Sequence, residues 1–333
     1  MYALARALGE AMRRRDFIAL LGSAAFARSQ AARAQQSSKL PTIGYLGSAP
    51  SIETDRFAAF VRRFGELGWV DGRTVNIEIR WSEGRPERVA EIASEFVQQK
   101  VNVVIGDGRA AVVLKKATTS IPIVFAPAND PVGVGLVANL SHPGGNVTGI
   151  SIQQTESAGK RFELLRQVVP NLHRLAILFD SGYSASVHEM EAVRENAQRV
   201  SVEVEPHGIR RADEIVAVID NLKDGALYVV ENALTGANGM LIVKSALDVK
   251  IPIAFTSGEF GRAGALMSYG PNFTAVFTRV AETVDKILRG TNPGDIPVEQ
   301  PTKFDFIINV KTAKTLGIEI PSSIQLLADE VIE

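Results

Sequence analysis

The sequence contains no cysteine among its 333 residues. Disulfide bonds, thiolate nucleophiles, zinc sites with cysteine ligands and a lipid anchor on cysteine are therefore excluded. The four histidines are not spaced i,i+4 on any predicted helix, so the sequence predicts no metal site. It also lacks a P-loop and a G-x-S-x-G turn, which leaves a hydrolase triad without a sequence anchor. We therefore predict no catalytic residues and no cofactor.

The chain also lacks an excess of either charge, because 36 basic residues nearly balance 37 acidic ones. A net charge of −1 gives no electrostatic reason to expect a nucleic acid partner. After residue 40 no apolar run approaches the roughly 20 residues that a membrane span needs. The length and the share of apolar residues, 46%, are typical of a globular chain with two domains.

The first forty residues carry the pattern of a secretory signal. Basic residues 13–15 precede a mildly apolar run, 17–27, and Ala32-Arg33-Ala34 then offers a cleavage site of the A-x-A type. Arg14-Arg15-x-Phe17-Ile18 resembles the twin-arginine motif, whose cargo usually crosses the membrane already folded. We therefore expect residues 1–34 to be a twin-arginine signal peptide, cleaved near Ala34, and the remainder to work in the periplasm. The alternative is an amphipathic N-terminal helix packed on the body of the protein.

From residue 40 onward, short β-rich runs alternate with amphipathic helices, and the same rhythm occurs twice. The predicted strands are Thr42–Leu46, Thr74–Arg80, Val101–Ile105, Ile121–Phe125 and Val147–Ser151 in the first half, and Leu175–Phe179, Val202–Glu205, Ala226–Val230, Ile251–Phe255 and Ala265–Tyr269 in the second. An Ile-Pro-Ile sequence opens the fourth strand of each half, which favours a repeat. The alternative is coincidence or a shared preference of edge strands for proline. This pattern predicts an α/β fold with two doubly wound parallel-sheet lobes.

The C-terminal part of the chain adds a helix at 272–290, an extended linker at 293–301, and one more strand and helix at 304–317. A chain that completes two lobes and then adds such elements crosses between them more than once. We therefore expect a multi-crossover hinge, with residues 41–150 and about 271–298 in the N-terminal lobe. The C-terminal lobe then comprises 151–268 and about 301–333.

Ligands of open parallel sheets bind outside the carboxyl ends of the strands, and the loops predicted there are rich in glycine and polar residues. These loops are 47–50, 81–83, 106–109 and 126–130 in the first half, and 180–184, 231–235 and 256–259 in the second. Free amides after Gly47 and Gly108 are positioned to hold a carboxylate, with Asp130 and Glu259 opposite to meet an ammonium group. A role in helix capping or in a turn explains the presence of any single one of these loop residues equally well.

One motif suggests an enzyme. Gly133-x-Gly135-x-x-Ala138 matches the letters of a dinucleotide-binding fingerprint. It does not directly follow a predicted strand, so a glycine-containing turn that leads into a short helix is the favoured interpretation.

Several stretches resemble one known family, the ABC transporter substrate-binding proteins related to the tryptophan/tyrosine binding protein. Besides the leader, they are Leu67–Gly72, Asp130–Val137 with Pro143–Gly149, Gly264–Pro271, and Pro297–Phe304. The similarity covers residues 12–333 in order, and the combination of stretches is specific although no single stretch is.

The resemblance implies a type I periplasmic binding protein with two lobes and three crossovers. Such a protein delivers an amino acid or a similar small polar solute to ABC permease subunits in the inner membrane, and it works as a monomer. The positions that match the family's binding residues are Ser48, Asp107, Gly108, Arg109, Asn129, Asp130, Ser181, Ser184, Glu259 and Tyr269. The sequence departs from its relatives at Asp107-Gly108-Arg109 and at Glu231-Asn232, which puts an unmodified aromatic amino acid in doubt as the ligand.

Two other functions remain open at this point. A periplasmic ligand-sensing subunit of a signalling system would use the same cleft without a permease. A nucleotide-dependent oxidoreductase is suggested only by the α/β pattern and the glycine motif. A cytosolic repressor with similar lobes is disfavoured, because a secretory signal stands where a helix-turn-helix segment would be.

Overall fold

The computed structural model describes residues 40–152 and 154–333 and contains two sheets. The predicted signal peptide, residues 1–34, lies outside the described residues and stays a prediction. Within the described part of the chain, no helix combines the length and the apolar character needed to cross a membrane.

The first sheet contains five parallel strands in the order β2-β1-β3-β4-β5. The strands are β1 (Thr42–Gly47), β2 (Asn76–Trp81), β3 (Val103–Gly106), β4 (Ile123–Ala128) and β5 (Val147–Ser151). The helices between them are α1 (Pro50–Glu66), α2 (Pro86–Gln99) and α3 (Gly108–Ala117). Every residue of β3 and β5 is buried, as expected for strands that are covered on both faces.

The second sheet contains seven strands in the order β12-β11-β10-β9-β8-β6-β7. The strands are β6 (Arg174–Asp180), β7 (Glu203–Ile209), β8 (Ala226–Val229), β9 (Ile253–Phe255), β10 (Met267–Pro271), β11 (Phe304–Asn309) and β12 (Glu330–Ile332). The helices are α4 (Gln154–Val168), α5 (Ser184–Gln198), α6 (Ile215–Asp220), α7 (Ala233–Ala237), α8 (Gly239–Asp248), α9 (Gly258–Ala263), α10 (Phe273–Leu288), α11 (Val310–Leu316) and α12 (Ser322–Leu327). Short 3-10 helices lie at Ala212–Glu214 and Pro293–Asp295.

The first five strands of each half follow the same spatial order, since β7-β6-β8-β9-β10 repeats β2-β1-β3-β4-β5. The predicted α/β class with two doubly wound lobes is therefore confirmed. One detail differs, because β11 runs antiparallel to β10 and the second sheet is mixed. The chain leaves β10 at Pro271 and returns at Phe304, which is the register partner of Pro271. A strand that re-enters at the end where its neighbour left must run in the opposite direction.

Helix α10 follows the second sheet's fifth strand in sequence but packs in the first lobe. Its buried side chains, among them Val276 and Val280, share a core cluster with Phe60 and Phe64 of α1 and with Val124 of β4. The chain therefore passes between the lobes three times: after β5, after β10 and before β11. The exact lobe boundaries stay a prediction.

A buried ion pair stabilises the second lobe close to the segments that pass between the lobes. Arg161 of α4 and Glu189 of α5 are both 0% exposed, and their side chains meet at 2.8 Å. The Arg161 guanidinium also donates to the Tyr228 hydroxyl and, at 2.7 Å, to the carbonyl of Tyr269 in the middle of β10. Burial raises the pKa of Glu189 to about 7, against the opposing effect of Arg161. One arginine thus ties the helix that follows the first crossing to the strand that precedes the second.

Replacing Arg161 with methionine should strongly destabilise the protein, because Glu189 then stays buried without its cation. We expect a loss of about 3–5 kcal/mol in the free energy of unfolding, measured by urea titration followed by circular dichroism. Arg166→Met is the matched control, since Arg166 is an exposed arginine of the same helix. A loss in Arg161→Met no larger than in the control would contradict this account of the ion pair.

Candidate functional site

The carboxyl ends of strands from both lobes border one cavity. Its empty volume is about 570 Å³, open solvent at the mouth included. The first lobe lines it from the ends of β1, β3 and β4 and from α1 and α10, and the second lobe lines it from the end of β8 and the loop after β6. The lining residues are Ser48, Glu53, Arg56, Asp107, Gly108, Arg109, Ala126, Pro127, Asn129, Ile152, Gln154, Tyr183, Glu231, Asn232, Ala233, Phe273 and Phe277.

At the end of β1, the backbone amide expected to hold an anion is already occupied. The carboxylate of Glu53, in the first turn of α1, accepts from the Ser48 amide at 2.7 Å and from the Ser48 hydroxyl at 2.5 Å. The same carboxylate accepts from the Tyr45 hydroxyl. Burial and the Glu53 carboxylate raise the pKa of Tyr45, which keeps the phenol protonated as a donor.

At the end of β3, Asp107 caps the N-terminus of α3. Its Oδ1 accepts from the Ala110 amide at 2.8 Å, so the second expected anion site also holds a carboxylate of the protein itself. Burial raises the pKa of Asp107 to about 6. The next residue is glycine for a steric reason, since a Cβ at Gly108 would lie 2.9 Å from both the Ala128 Cβ and the Tyr183 hydroxyl.

Arg56 of α1 is a cation of the first lobe that is surrounded by acceptors of the second. It is 5% exposed, and its guanidinium donates to Glu259 at 2.9 Å and to the Ser257 hydroxyl at 2.7 Å. Glu231 lies 3.6 Å away, and the Phe273 ring centroid lies 3.8 Å from the guanidinium carbon. Burial raises the pKa of Glu231, whereas the nearby Arg56 guanidinium lowers the pKa of Glu259 against the effect of burial.

A second bridge crosses the cleft from α3. Arg109 donates to Asp180, which lies at the end of β6 and is buried. Asp130, in the loop after β4, lies 3.5 Å from His188 of α5. Charged groups of the two lobes therefore pair with each other across the cleft, in part through residues that do not line the cavity.

The predicted site residues divide into two groups of equal size. Those that line the cavity are Ser48, Asp107, Gly108, Arg109 and Asn129. Those outside it are Asp130, Ser181, Ser184, Glu259 and Tyr269. Ligand contact by any of the ten stays a prediction.

The residues outside the cavity have structural contacts of their own. Glu259 pairs with Arg56, and Asp130 accepts from the Gly133 amide at 2.8 Å. The Ser181 hydroxyl lies 3.3 Å from the Ile209 carbonyl, Ser184 begins α5, and Tyr269 stacks on Phe304.

The glycine motif at 133–138 is a turn. Residues 131–135 form consecutive turns. The Asp130 side chain accepts a hydrogen bond from the Gly133 amide, and Gly135 has a φ of +71°. The predicted turn is therefore confirmed, whereas the short helix expected after it is wrong, because the chain continues in bends, turns and irregular structure up to β5.

Sequence reasoning missed several lining residues, including Glu53, Arg56, Phe273 and Phe277. The signal for the first two was present, because they continue the buried stripe of α1 one and two turns before Phe60. A charged side chain on a buried helix face needs an opposite charge or hydrogen-bonding groups close by. A cluster of such buried charged groups indicates a functional site.

Two further lining residues that sequence reasoning missed are relevant to recognition of a ligand. Gln154 begins α4 and donates to the Glu231 carbonyl at 3.1 Å. The hydroxyl of Tyr183 is buried and has no hydrogen-bond partner among the residues that the structure describes. An unpaired buried hydroxyl that lines a cavity is an available contact for a ligand.

Comparison with known proteins identifies a family for this arrangement. The model of a family described as ABC transporter substrate binding protein matches residues 57–332. A tyrosine-binding protein from Clostridioides difficile is 28% identical over 280 residues, which are 83% of this chain and 80% of that protein.

Two solved structures are also similar. A domain from Streptococcus pneumoniae in complex with L-Trp gives a TM-score of 0.81 at 27% identity, covering 88% of this chain and all of that one. The ligand-free, open structure of a substrate-binding protein with adhesive properties from Clostridium difficile gives 0.62 at 28% identity, covering 88% of this chain and 99% of that one. The present arrangement thus resembles the L-Trp complex more than the open structure, which agrees with the bridges across the cleft.

Replacing Arg56 with methionine should open the cleft. The variant leaves Glu231 and Glu259 without their cation when the lobes close, so the closed state loses about 3–5 kcal/mol relative to an open, solvated one. Small-angle X-ray scattering should then report a larger radius of gyration than for the parent chain. Arg63→Met is the control, because Arg63 lies on the same helix and pairs with Glu66 and Glu282 within the first lobe. Identical scattering from both variants would contradict the assignment of Arg56 as the bridge.

Replacing Asp107 with asparagine should stabilise the protein at neutral pH. A folded-state pKa of about 6, against 3.8 in the unfolded chain, means that the ionised carboxylate costs stability above pH 6 and costs nothing below about pH 4. Asparagine keeps the cap of α3 without the charge.

Because the Asp107 side chain is half-buried, we expect a gain of about 1–2 kcal/mol at pH 7.5 that vanishes toward pH 4. Urea unfolding at both pH values measures it. Asp248→Asn, at an exposed position, should change stability by less than about 0.5 kcal/mol at either pH. An equal gain at both pH values in Asp107→Asn would show that the charge is not its cause.

Proposed function

The chain belongs to the ABC transporter substrate-binding protein family and is a solute-binding protein of such a transporter; from that premise we propose that it captures an amino acid or a related small compound between its lobes. The observation that carries this proposal is the cavity itself. Its walls combine three aromatic rings, those of Tyr183, Phe273 and Phe277, with charged side chains from both lobes. Apolar walls with a few fixed polar groups are typical of sites for small molecules.

The relatives support the same class of solute. One is named a tyrosine-binding protein, and another was solved in complex with L-Trp. The aromatic rings and the apolar side chains of Ile152 and Pro127 offer similar surface for an apolar or aromatic substituent. The unpartnered Tyr183 hydroxyl offers a hydrogen bond to its polar end.

We also propose the cellular setting that the sequence suggests. In this proposal residues 1–34 direct export by the twin-arginine route, cleavage occurs near Ala34, and the mature monomer delivers its solute to permease subunits in the inner membrane. Closure held by Arg56 and Arg109 gives such a permease a distinct liganded form to recognise.

A ligand screen of the mature chain tests the proposal. The panel holds the twenty amino acids, their amine and carboxylic acid derivatives, short peptides and nicotinamide cofactors. A solute present at 100 times its dissociation constant should stabilise the protein by about 2.7 kcal/mol, visible as a thermal shift. Stabilisation by a nicotinamide cofactor alone, or by no member of the panel, would contradict capture of an amino acid or a related compound.

Two tyrosine variants locate the bound solute. Tyr183→Phe removes only the buried hydroxyl of this lining residue, unpaired within the described part of the chain, and should weaken binding about fivefold, which corresponds to the loss of one hydrogen bond. Tyr269→Phe removes a hydroxyl outside the cavity and should leave affinity unchanged. Calorimetric titration measures the affinity of both variants for the solute. A larger loss of affinity in Tyr269→Phe than in Tyr183→Phe would show that the solute binds elsewhere.

A further inference from the structure

The charges on the cavity walls are unequal. Three lining carboxylates, Glu53, Asp107 and Glu231, face two lining guanidinium groups, Arg56 and Arg109. No lysine lies among the lining residues that the structure describes. A closed site with excess negative charge attracts cations, because field lines are focused between walls of low dielectric constant.

Both guanidinium groups already have carboxylate partners. Arg56 pairs with Glu259 at 2.9 Å and lies 3.6 Å from Glu231, while Arg109 donates to the buried Asp180. A ligand carboxylate would have to displace one of these groups. The displaced carboxylate would then remain buried without its cation, which is strongly unfavourable.

The backbone amides that usually hold a carboxylate are occupied as well. The Ser48 amide donates to Glu53, and the Ala110 amide donates to Asp107. The start of α1 and the start of α3 therefore each carry a carboxylate of the protein, in the place where a ligand's carboxylate would bind.

Asp107 differs from the other acidic groups of the cavity. Glu231 lies beside Arg56, and Glu53 is held by Tyr45 and Ser48. Asp107 receives backbone amides, and no basic side chain hydrogen-bonds to it within the described part of the chain. Burial raises the pKa of Asp107 to about 6 even though the backbone amides and the charge of Arg109 lower it, and a further cation beside the carboxylate would reduce this cost.

Tyr183 lies beside Asp107 on the wall. Its hydroxyl is 2.9 Å from the position of a Cβ on Gly108, the residue after Asp107, and it is without a hydrogen-bond partner among the described residues. A carboxylate and an unpaired hydroxyl together accept two of the three N–H bonds of a primary ammonium group.

We propose that the cavity selects a solute of net positive charge, namely an amine with an apolar or aromatic substituent and without a carboxylate, whose ammonium group binds Asp107. This inference rests on the proposed function and narrows it, since the same cleft is the binding site in both. It reverses the expectation that free amides hold a carboxylate while Asp130 and Glu259 meet an ammonium group.

Matched ligands that share one ring test the inference on the parent chain. Calorimetric titrations compare tyrosine, tyramine and 3-(4-hydroxyphenyl)propionate, and the same three derivatives of phenylalanine and tryptophan. We expect the amine to bind at least tenfold more tightly than the amino acid, and the acid not to bind. Equal or tighter binding of the amino acid overturns the charge selection and leaves the proposed function standing. Absence of binding by all nine compounds overturns the inference, and the wider screen then decides the proposed function separately.

A substitution at Asp107 tests whether this carboxylate binds the ammonium group of the solute. Asp107→Asn keeps the helix cap and should weaken binding of the amine at least tenfold, with a smaller effect on the amino acid. Asp248→Asn removes an exposed charge of the same sign and controls for net charge. Thermal unfolding without ligand checks that both variants are folded. Unchanged affinity for the amine in folded Asp107→Asn overturns the assignment of Asp107.

Discussion

A guanidinium group buried between two lobes is the constraint on which the binding site depends. Arg56 belongs to the first lobe, and its partners Ser257, Glu259 and Glu231 belong to the second. A charge removed from water needs a counter-charge close by, so the lobes satisfy Arg56 only when they meet. Closure of the cleft and neutralisation of Arg56 are therefore the same event. Arg109 and Asp180 repeat the arrangement on the other wall, and what remains exposed to a ligand is what these bridges leave unpaired.

The fold was accessible from the sequence because its strands are short apolar runs between amphipathic helices. The repeated Ile-Pro-Ile sequence correctly identified equivalent strands, β4 and β9, in lobes with the same strand order. The direction of β11, the strand β12, the 15-residue helix α4 and the short helices α7, α9 and α12 were not predicted. Three-residue strands and six-residue helices are too short for a periodic pattern, and the direction of β11 depends on where the chain re-enters the second lobe.

The candidate site could be predicted from the sequence only in part, and for a different reason. The rule that ligands bind at the carboxyl ends of parallel strands placed Ser48, Asp107 and Asn129 on the cavity wall. It could not supply side chains from within helices, such as Arg56, or from α10, which begins more than a hundred residues after the first sheet is complete. The bridge between Arg56 and Glu259 joins positions 203 residues apart, and no local pattern encodes such a contact. The strand pattern identified the loops and the resemblance to a family identified positions within them, whereas the pairing of their charges required the three-dimensional arrangement.

The position of α10 also has a consequence for how the protein is made. Its apolar face covers Phe60 and Phe64, which are 0% exposed in the complete fold. During synthesis those rings leave the ribosome long before residues 273–288 exist to cover them. The N-terminal lobe therefore cannot finish folding as an independent unit while the chain grows, although domains generally do so. Its core closes only after the central part of the other lobe, residues 154–271, has been translated.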